Sequence, residues 1–326
     1  MTSVPGFEPF KGQHCESSAT GNLLKHAGLE LSEPLSFGLG EGLAYGVFVF
    51  KNAPAPFIGG RPKPEEITQN LARHLGLDIE YRESRSPAKA WQNVASFIDA
   101  GQPVAAKIDM YYLDYFHADF HFAGHYVAAH GYDAERVFVV DTDQQGSALS
   151  TSRETFEQGR LWKGPMSSNA LTWTIAPGDR ELDWPGTLRS AMSSNARSYL
   201  NPPISNFGAK GIRKTAKIMP TWLQTVENAP VELPLMGSLM EHGGTGGGLF
   251  RCMYRDFLAE AGGHLQDPSV SAAHDLFAEA APLWTEVSER LIAVSDDGQE
   301  ALDDAAAILR RLADIEERAM TELATL

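Results

Sequence analysis

The 326-residue sequence predicts an α+β domain followed by a mainly α-helical one. Helical spacing comes first, short segments rich in β-branched and aromatic residues follow, and helical spacing then returns to the end. In residues 16–27, Ala19, Leu23, Leu24 and Ala27 recur at helical spacing and Gly28 supplies a stop, so a helix begins at or beside Cys15. Pro64 opens a second pattern, in which Ile67, Leu71 and Leu75 repeat every four residues before Gly76. A third starts from Ser86 and Pro87 as N-cap and first-turn residues, carries Trp91, Ala95 and Ile98 on one face, and ends at Gly101. Strand-like segments occupy 103–110, 125–131, 136–141 and 171–175; between the last two, Thr151-Ser152-Arg153-Glu154 reads as the capping box of a short helix. The breaker cluster Ala176-Pro177-Gly178-Asp179 marks a join, which gives domains 1–176 and 177–326. Beyond it, residues 249–261, 272–295 and 300–323 read as helices, the last with Leu302, Leu309, Leu312 and Ile315 on one buried stripe.

Hydrophobic residues at 43% and charged residues at 21% are the composition of a globular chain with a substantial core. A formal net charge of −15 argues against nucleic acid as a partner, because neutralising phosphates needs a basic surface, and against docking on an anionic membrane. No apolar run is long enough for a membrane span, and Met1-Thr2-Ser3-Val4-Pro5-Gly6 lacks the basic and apolar regions of a signal peptide, so the expectation is a cytoplasmic protein. The charge is uneven: residues 259–326 hold 15 acidic and 4 basic side chains, whereas residues 177–258 hold 7 and 9, including Lys210, Arg213, Lys214 and Lys217. Two cysteines exclude a disulfide framework and a four-cysteine zinc site. They leave room for a nucleophile.

Cys15 is the candidate. It follows Lys11-Gly12-Gln13-His14 and stands at a predicted helix N-terminus, where unpaired N–H groups and the helix dipole favour a thiolate. A base is found in the predicted hairpin of 125–131 and 136–141. If residues 131 and 135 close a three-residue loop, His125 stands directly opposite Asp141, close enough for the carboxylate to accept the imidazole Nδ1–H and fix the tautomer. Asp143 is the fallback orienter. Cysteine at a helix start, histidine at a strand start and carboxylate at the end of the next strand form the order of a papain-like site. The Cys15 N–H and the Gln13 side chain are the candidate oxyanion donors.

Gln13-His14-Cys15 leading into a helix, Leu35-Ser36-Phe37-Gly38-Leu39-Gly40-Glu41-Gly42, the strand end Lys107-Ile108-Asp109-Met110-Tyr111-Tyr112-Leu113, and Gly124-His125-Tyr126 with Gly131-Tyr132-Asp133 resemble the N-terminal domain of butirosin biosynthesis protein H. The stretch Gly243-Gly244-Thr245-Gly246-Gly247-Gly248-Leu249-Phe250-Arg251 is similar to the helical domain of unknown function commonly joined to it. The resemblance implies a papain-like architecture and an acyltransferase that moves an aminoacyl group from a carrier-protein thioester to an amine. Carried over, Cys15 would be acylated and His125 would deprotonate the incoming amine. A small-molecule amine and an acyl carrier protein are then the expected partners. No cofactor is expected beyond a phosphopantetheine arm on the substrate. A cysteine amidohydrolase or peptidase with the same triad, and a non-catalytic binding protein on the same fold, are the alternatives.

Other groupings bear on chemistry less directly. His117, His121 and His125 recur every four residues with Asp119 among them, a pattern that suits zinc or iron, but no other ligand motif accompanies it, packing or cleft lining in an aromatic-rich segment is the favoured reading, and the expectation is no metal. The glycines at 243–248 ahead of a helix suit an anion on backbone amides, and Arg251 would then bind a carboxylate or phosphate; the lysine of a P-loop is missing. Glu41 is a candidate for a substrate amine, and Asp109 and Tyr111 for the lining of an acyl pocket. Cys252, in a helical stretch with no base nearby, is expected to be inert.

Overall fold

Residues 1–51, 53–176 and 182–326 are described by the structure, a computed structural model. They fall into two units, Met1–Ser36 with Ile67–Leu182, and Phe37–Glu66 with Asp183–Leu326. The expected join lies mostly in residues 177–181, outside the described residues. The division differs from a single cut at 176/177 because residues 37–66 pack with the later helices. Phe37 stacks on Phe250 at 5.4 Å, the Asn195 amide donates to the Leu43 carbonyl at 2.9 Å, and Tyr45 and Thr215 hydroxyls meet at 2.6 Å. Such contacts join residues over a hundred positions apart and leave no local signal.

In chain order the elements run β1 (Thr2–Ser3), α1 (Cys15–His26), α2 (Glu33–Leu39), β2 (Gly46–Phe48), β3 (Phe57–Gly59), α3 (Glu66–Leu75), β4 (Asp78–Arg82), α4 (Pro87–Asp99), β5 (Val104–Ile108), β6 (His125–Tyr132), β7 (Arg136–Val140), β8 (Leu149–Ser152), α5 (Arg153–Leu161) and β9 (Thr172–Ala176). Helices α6 (Trp184–Leu200), α7 (Gly208–Ile218), α8 (Trp222–Thr225), α9 (Ala229–His242), α10 (Arg251–Leu265), α11 (Pro268–Ile292), α12 (Val294–Asp297) and α13 (Gln299–Leu323) complete the chain. The protein is α+β with a helical C-terminal part, as expected.

The described strands of the first unit form one antiparallel seven-stranded sheet, ordered β4-β9-β5-β6-β7-β8 with β1 paired to β6. Helix α1 packs mainly against β6. Its predicted stripe of Ala19, Leu23 and Leu24 is buried, and each leucine contributes roughly 1.5–3 kcal/mol. Val94, Phe97 and Ile98 of α4 and Phe156 of α5 form a core with Val104, Ala106 and Ile108 of β5. The cap of α5 sits one residue later than the capping box predicts, since it is the Ser152 hydroxyl that accepts the Thr155 N–H, at 3.1 Å.

In the second unit, α13 lies along α11 and α7, with Leu302, Leu309, Leu312 and Ile315 buried as predicted. Among the described residues no helix is long and apolar enough to cross a membrane.

Candidate active site

Cys15 is the first residue of α1, and the first helical bond runs from the Ser18 N–H to the His14 carbonyl at 2.7 Å. The N–H groups ahead of Ser18 are therefore free of the helix ladder. Among the described residues the Cys15 N–H has no acceptor. The lead-in is held by Glu33, which accepts the Gln13 N–H at 2.6 Å, the His14 N–H at 2.8 Å and the Ser17 hydroxyl at 2.6 Å. Burial raises the Glu33 carboxyl above its usual range; these hydrogen bonds oppose the rise, and the charge of Asp143 adds to it.

His125 opens β6, with its side chain 6% exposed. Its Nε2 lies 2.8 Å from Asp141 Oδ2, and its side chain is hydrogen-bonded to Cys15. With Nε2 on the carboxylate, Nδ1 is the nitrogen left for the thiol, the reverse of the expected ring orientation. Burial works against the imidazolium. The charge and hydrogen bond of Asp141, followed by the hydrogen bond and charge of Cys15, outweigh it and push His125 up to about 10. Asp141, fully enclosed, accepts the Tyr115 hydroxyl on Oδ2 at 2.8 Å and the Thr142 N–H on Oδ1 at 2.6 Å. Ser18 donates from α1 to the Asp141 carbonyl at 3.1 Å, which ties the nucleophile's helix to the carboxylate's strand end. Phe116 sets its ring edge-on to His125 at 5.2 Å. Asp143 is exposed and takes no part in holding the imidazole.

The strand register behind this pair differs from expectation. The hairpin closes between Asp133 and Arg136 around two residues, and His130 is extra, so that Ala129 pairs with Val139 but Gly131 with Phe138. Continued to the site, this ladder places Asp141 diagonal to His125 rather than opposite, still within reach of two long side chains.

Of the remaining candidates, Gln13 is half-buried close to Cys15, and its carboxamide makes no hydrogen bond among the described residues. Asp109 is wholly buried and fully engaged: Oδ1 accepts the N–H groups of Tyr111 at 3.2 Å and Phe122 at 2.9 Å, and Oδ2 lies 2.6 Å from His121 Nδ1. It braces the 110–124 segment, and both of its oxygens are taken up by that segment. Tyr111 is exposed and rests its ring on His121 at 4.3 Å. Glu41 belongs to the second unit, where it is buried and accepts the Ser194 hydroxyl at 2.9 Å, so its carboxylate is not presented to an amine.

Arg251 overturns its expected role most clearly. Its guanidinium, fully buried, makes a two-pronged pair with Glu316 at 2.8 Å on each side and donates to the Ala44 and Leu249 carbonyls. Trp284 at 2.5 Å and Tyr199 also donate to Glu316. Burial disfavours the guanidinium's charge, and Glu316 more than compensates. Nor do the glycines wait for an outside anion: the Glu241 carboxylate takes the Gly248 N–H at 2.9 Å, and the run from Gly246 to Phe250 has positive φ throughout. A Cβ on Gly248 would press to 2.9 Å from the Ala281 carbonyl. The stretch is a tight left-handed turn into α10. The His117, His121 and His125 series does not come together around one point, since His121 is held by Asp109 and His125 by Asp141. No described group of three His, Cys, Asp or Glu side chains is placed to hold a metal ion. Cys252 is half-buried, and burial pushes its thiol up.

Glu33, Tyr115 and Phe116 were not singled out from the sequence. Tyr115 and Phe116 lie in the aromatic-rich run after β5, a signal that could have marked a cover over His125; Glu33 carries no local mark of its contact with the Cys15 loop.

Residues 14–142 match the family model for butirosin biosynthesis protein H, N-terminal, and residues 154–323 match a domain of unknown function, DUF4872. No curated protein matches the chain. Two solved structures are similar at low levels: one described as a C39-like peptidase from Bacillus anthracis, at 18% identity and TM-score 0.39 over 53% of this chain and 98% of that one; and the peptidase domain of Streptococcus ComA, a bifunctional ABC transporter involved in quorum sensing, at 16% and 0.33 over 54% and 98%. By the two matched domains, which together span nearly its whole length, the chain belongs to the family that joins a butirosin biosynthesis protein H N-terminal domain to DUF4872.

Proposed function

We propose that the protein is a cysteine-dependent acyltransferase, which accepts an acyl or aminoacyl group from a thioester on Cys15 and delivers it to an amine. The observation that carries the reading is the assembly of Cys15, His125 and Asp141 at one end of the sheet, with a cysteine N–H that has no acceptor among the described residues. Family membership supports a cysteine enzyme, and the resemblance to butirosin biosynthesis protein H is the reason for reading its reaction as acyl transfer.

The steps follow from the geometry. With Nε2–H on Asp141, the His125 Nδ1 lone pair takes the Cys15 proton, and Asp141 stabilises the imidazolium. The sulfur attacks the thioester carbonyl, and the oxygen of the tetrahedral intermediate meets the Cys15 N–H, with the Gln13 carboxamide as the second donor. The carbon–sulfur bond of the donor breaks, and its thiol leaves with the proton from His125. An amine then attacks acyl-Cys15, His125 removes its proton, and Cys15 is released as thiol. Water in the amine's place would give hydrolysis.

The donor's thiol end is a phosphopantetheine arm, on a carrier protein or coenzyme A, and the acceptor is a small-molecule amine of specialised metabolism. Lys210, Lys214 and Lys217 are exposed at i, i+4 and i+7 of α7, a face suited to an acidic carrier, whereas Arg213 is drawn to Asp314 and Glu317. The test is intact mass after incubation with an acyl thioester. An adduct present in the wild type and missing from Cys15→Ala supports the reading; no adduct, with Cys15 inert to iodoacetamide, overturns it. With an adduct in hand, amide or free acid as product decides between transfer and hydrolysis.

A further inference from the structure

The loop that leads into Cys15 is gripped by a carboxylate that the reaction does not consume. Glu33 opens α2, is 8% exposed, and turns both oxygens to that loop, Oε2 to the Gln13 N–H and Oε1 to the His14 N–H and the Ser17 hydroxyl. The approach is close. A Cβ on Gly12 would come within 3.0 Å of Glu33 Oε1 and 2.9 Å of Ser18 Cβ, so the loop can lie there only with glycine. Holding the N–H groups of Gln13 and His14 fixes two consecutive peptide planes. The next N–H along the chain is that of Cys15, which has no acceptor among the described residues.

We propose that Glu33 is the positioning residue of the oxyanion hole: by engaging the Gln13 and His14 N–H groups, it aims the Cys15 N–H at the reacting carbonyl oxygen and keeps it vacant. The inference rests on the acyl-Cys15 reading above. Only a carboxylate suits the place. It accepts all three donors, whereas a carboxamide would turn its own N–H groups toward one of them. A negative charge is also favoured beside a helix N-terminus.

A donor fixed in advance assists acylation, where charge develops on oxygen, but not alkylation by iodoacetamide, where none does. That difference separates positioning from general support of the fold. It also predicts an acid limb. Asp143 is the charged group whose Coulombic effect raises Glu33, and protonation of Glu33 would release one of the loop N–H groups.

The experiment compares wild type, Glu33→Gln and Glu33→Asp as full chains. It follows Cys15 acylation by an acyl N-acetylcysteamine thioester and by p-nitrophenyl acetate, alkylation by iodoacetamide, and amide hydrogen exchange over residues 11–17. In Glu33→Gln, acylation should fall about 100-fold while alkylation stays within about threefold of wild type, since only the first develops an oxyanion. Exchange at Gln13 and His14 should speed up by about tenfold or more. The wild-type acid limb, above the usual glutamate range, should vanish, and Glu33→Asp should fall between. Equal loss in acylation and alkylation, or unchanged exchange, overturns the proposal. A wild type that alkylates at Cys15 but takes an acyl group from neither probe would instead overturn the acyltransferase reading, and the exchange comparison would still decide whether Glu33 holds the loop.

Discussion

Replacing Asp141 with asparagine removes one charge and keeps the shape, so it isolates what the carboxylate does for His125. The imidazole is buried, and burial alone would pull it below its usual 6.5; Asp141, with help from Cys15, carries it up to about 10. At 1.36 kcal/mol per decade, that rise corresponds to about 5 kcal/mol in favour of the imidazolium. In Asp141→Asn the charge is gone and the carboxamide must choose a face. Its oxygen toward Nε2 preserves the tautomer; its NH2 toward Nε2 forces the ring proton onto Nδ1 and removes the lone pair that receives the Cys15 proton. Either way, acylation at neutral pH should fall by about 10²–10⁴-fold. Alkylation by iodoacetamide at neutral pH, which draws on the same proton transfer to His125, should fall with it. Rates within about threefold of wild type at neutral pH would refute the reasoning. Stability offers an independent check. Because the folded value of His125 is raised, its contribution is complete below about 6.5 and is lost as pH rises through about 10. The gap in denaturation midpoint between wild type and Asp141→Asn should therefore be widest in mild acid and close toward pH 10. A gap that widens with pH would contradict the assignment.

Two other outcomes bear on the two units. Arg251→Met leaves Glu316 buried without its cation and should cost about 3–5 kcal/mol in urea denaturation, with Glu316→Gln added to it restoring part of the loss. Acylation per folded molecule should not change; a selective loss of acylation would return Arg251 to the substrate. Changing Lys210, Lys214 and Lys217 together to glutamate should raise KM for a carrier-bound donor by about tenfold or more and leave a small thioester unaffected, whereas equal effects on both donors would rule out carrier docking on α7.

What could be read from the sequence depended on how local its cause was. Cys15 at a helix start follows from the spacing of Ala19, Leu23 and Leu24, which repeats within one helix. Arg251 shows the opposite case: next to a glycine run it resembles an anion ligand, and its partner stands 65 positions away on α13. Glu33 is not legible in the sequence, because a carboxylate at the start of a short helix is ordinarily a solvated first-turn residue. Only the approach of Gly12 brings the Cys15 loop down onto it.

The His125–Asp141 pair follows from the sequence even though its expected register differs from the one in the structure, and parity explains why. Closing the hairpin at 133 and 136 instead of 131 and 135 moves the ladder by three residues, which would turn Asp141 to the opposite face from His125. The extra residue at His130 takes one back, and a shift of two preserves the face. Nothing local marks His130 as a bulge. Its ring stacks on Phe7 at 4.5 Å, its carbonyl accepts the Val4 N–H at 2.8 Å, and the following residue pairs with Ser3. The facing of the carboxylate toward the histidine thus goes with an N-terminal segment that supplies no group to the chemistry, held against His130 and Gly131 by contacts more than a hundred positions apart in sequence.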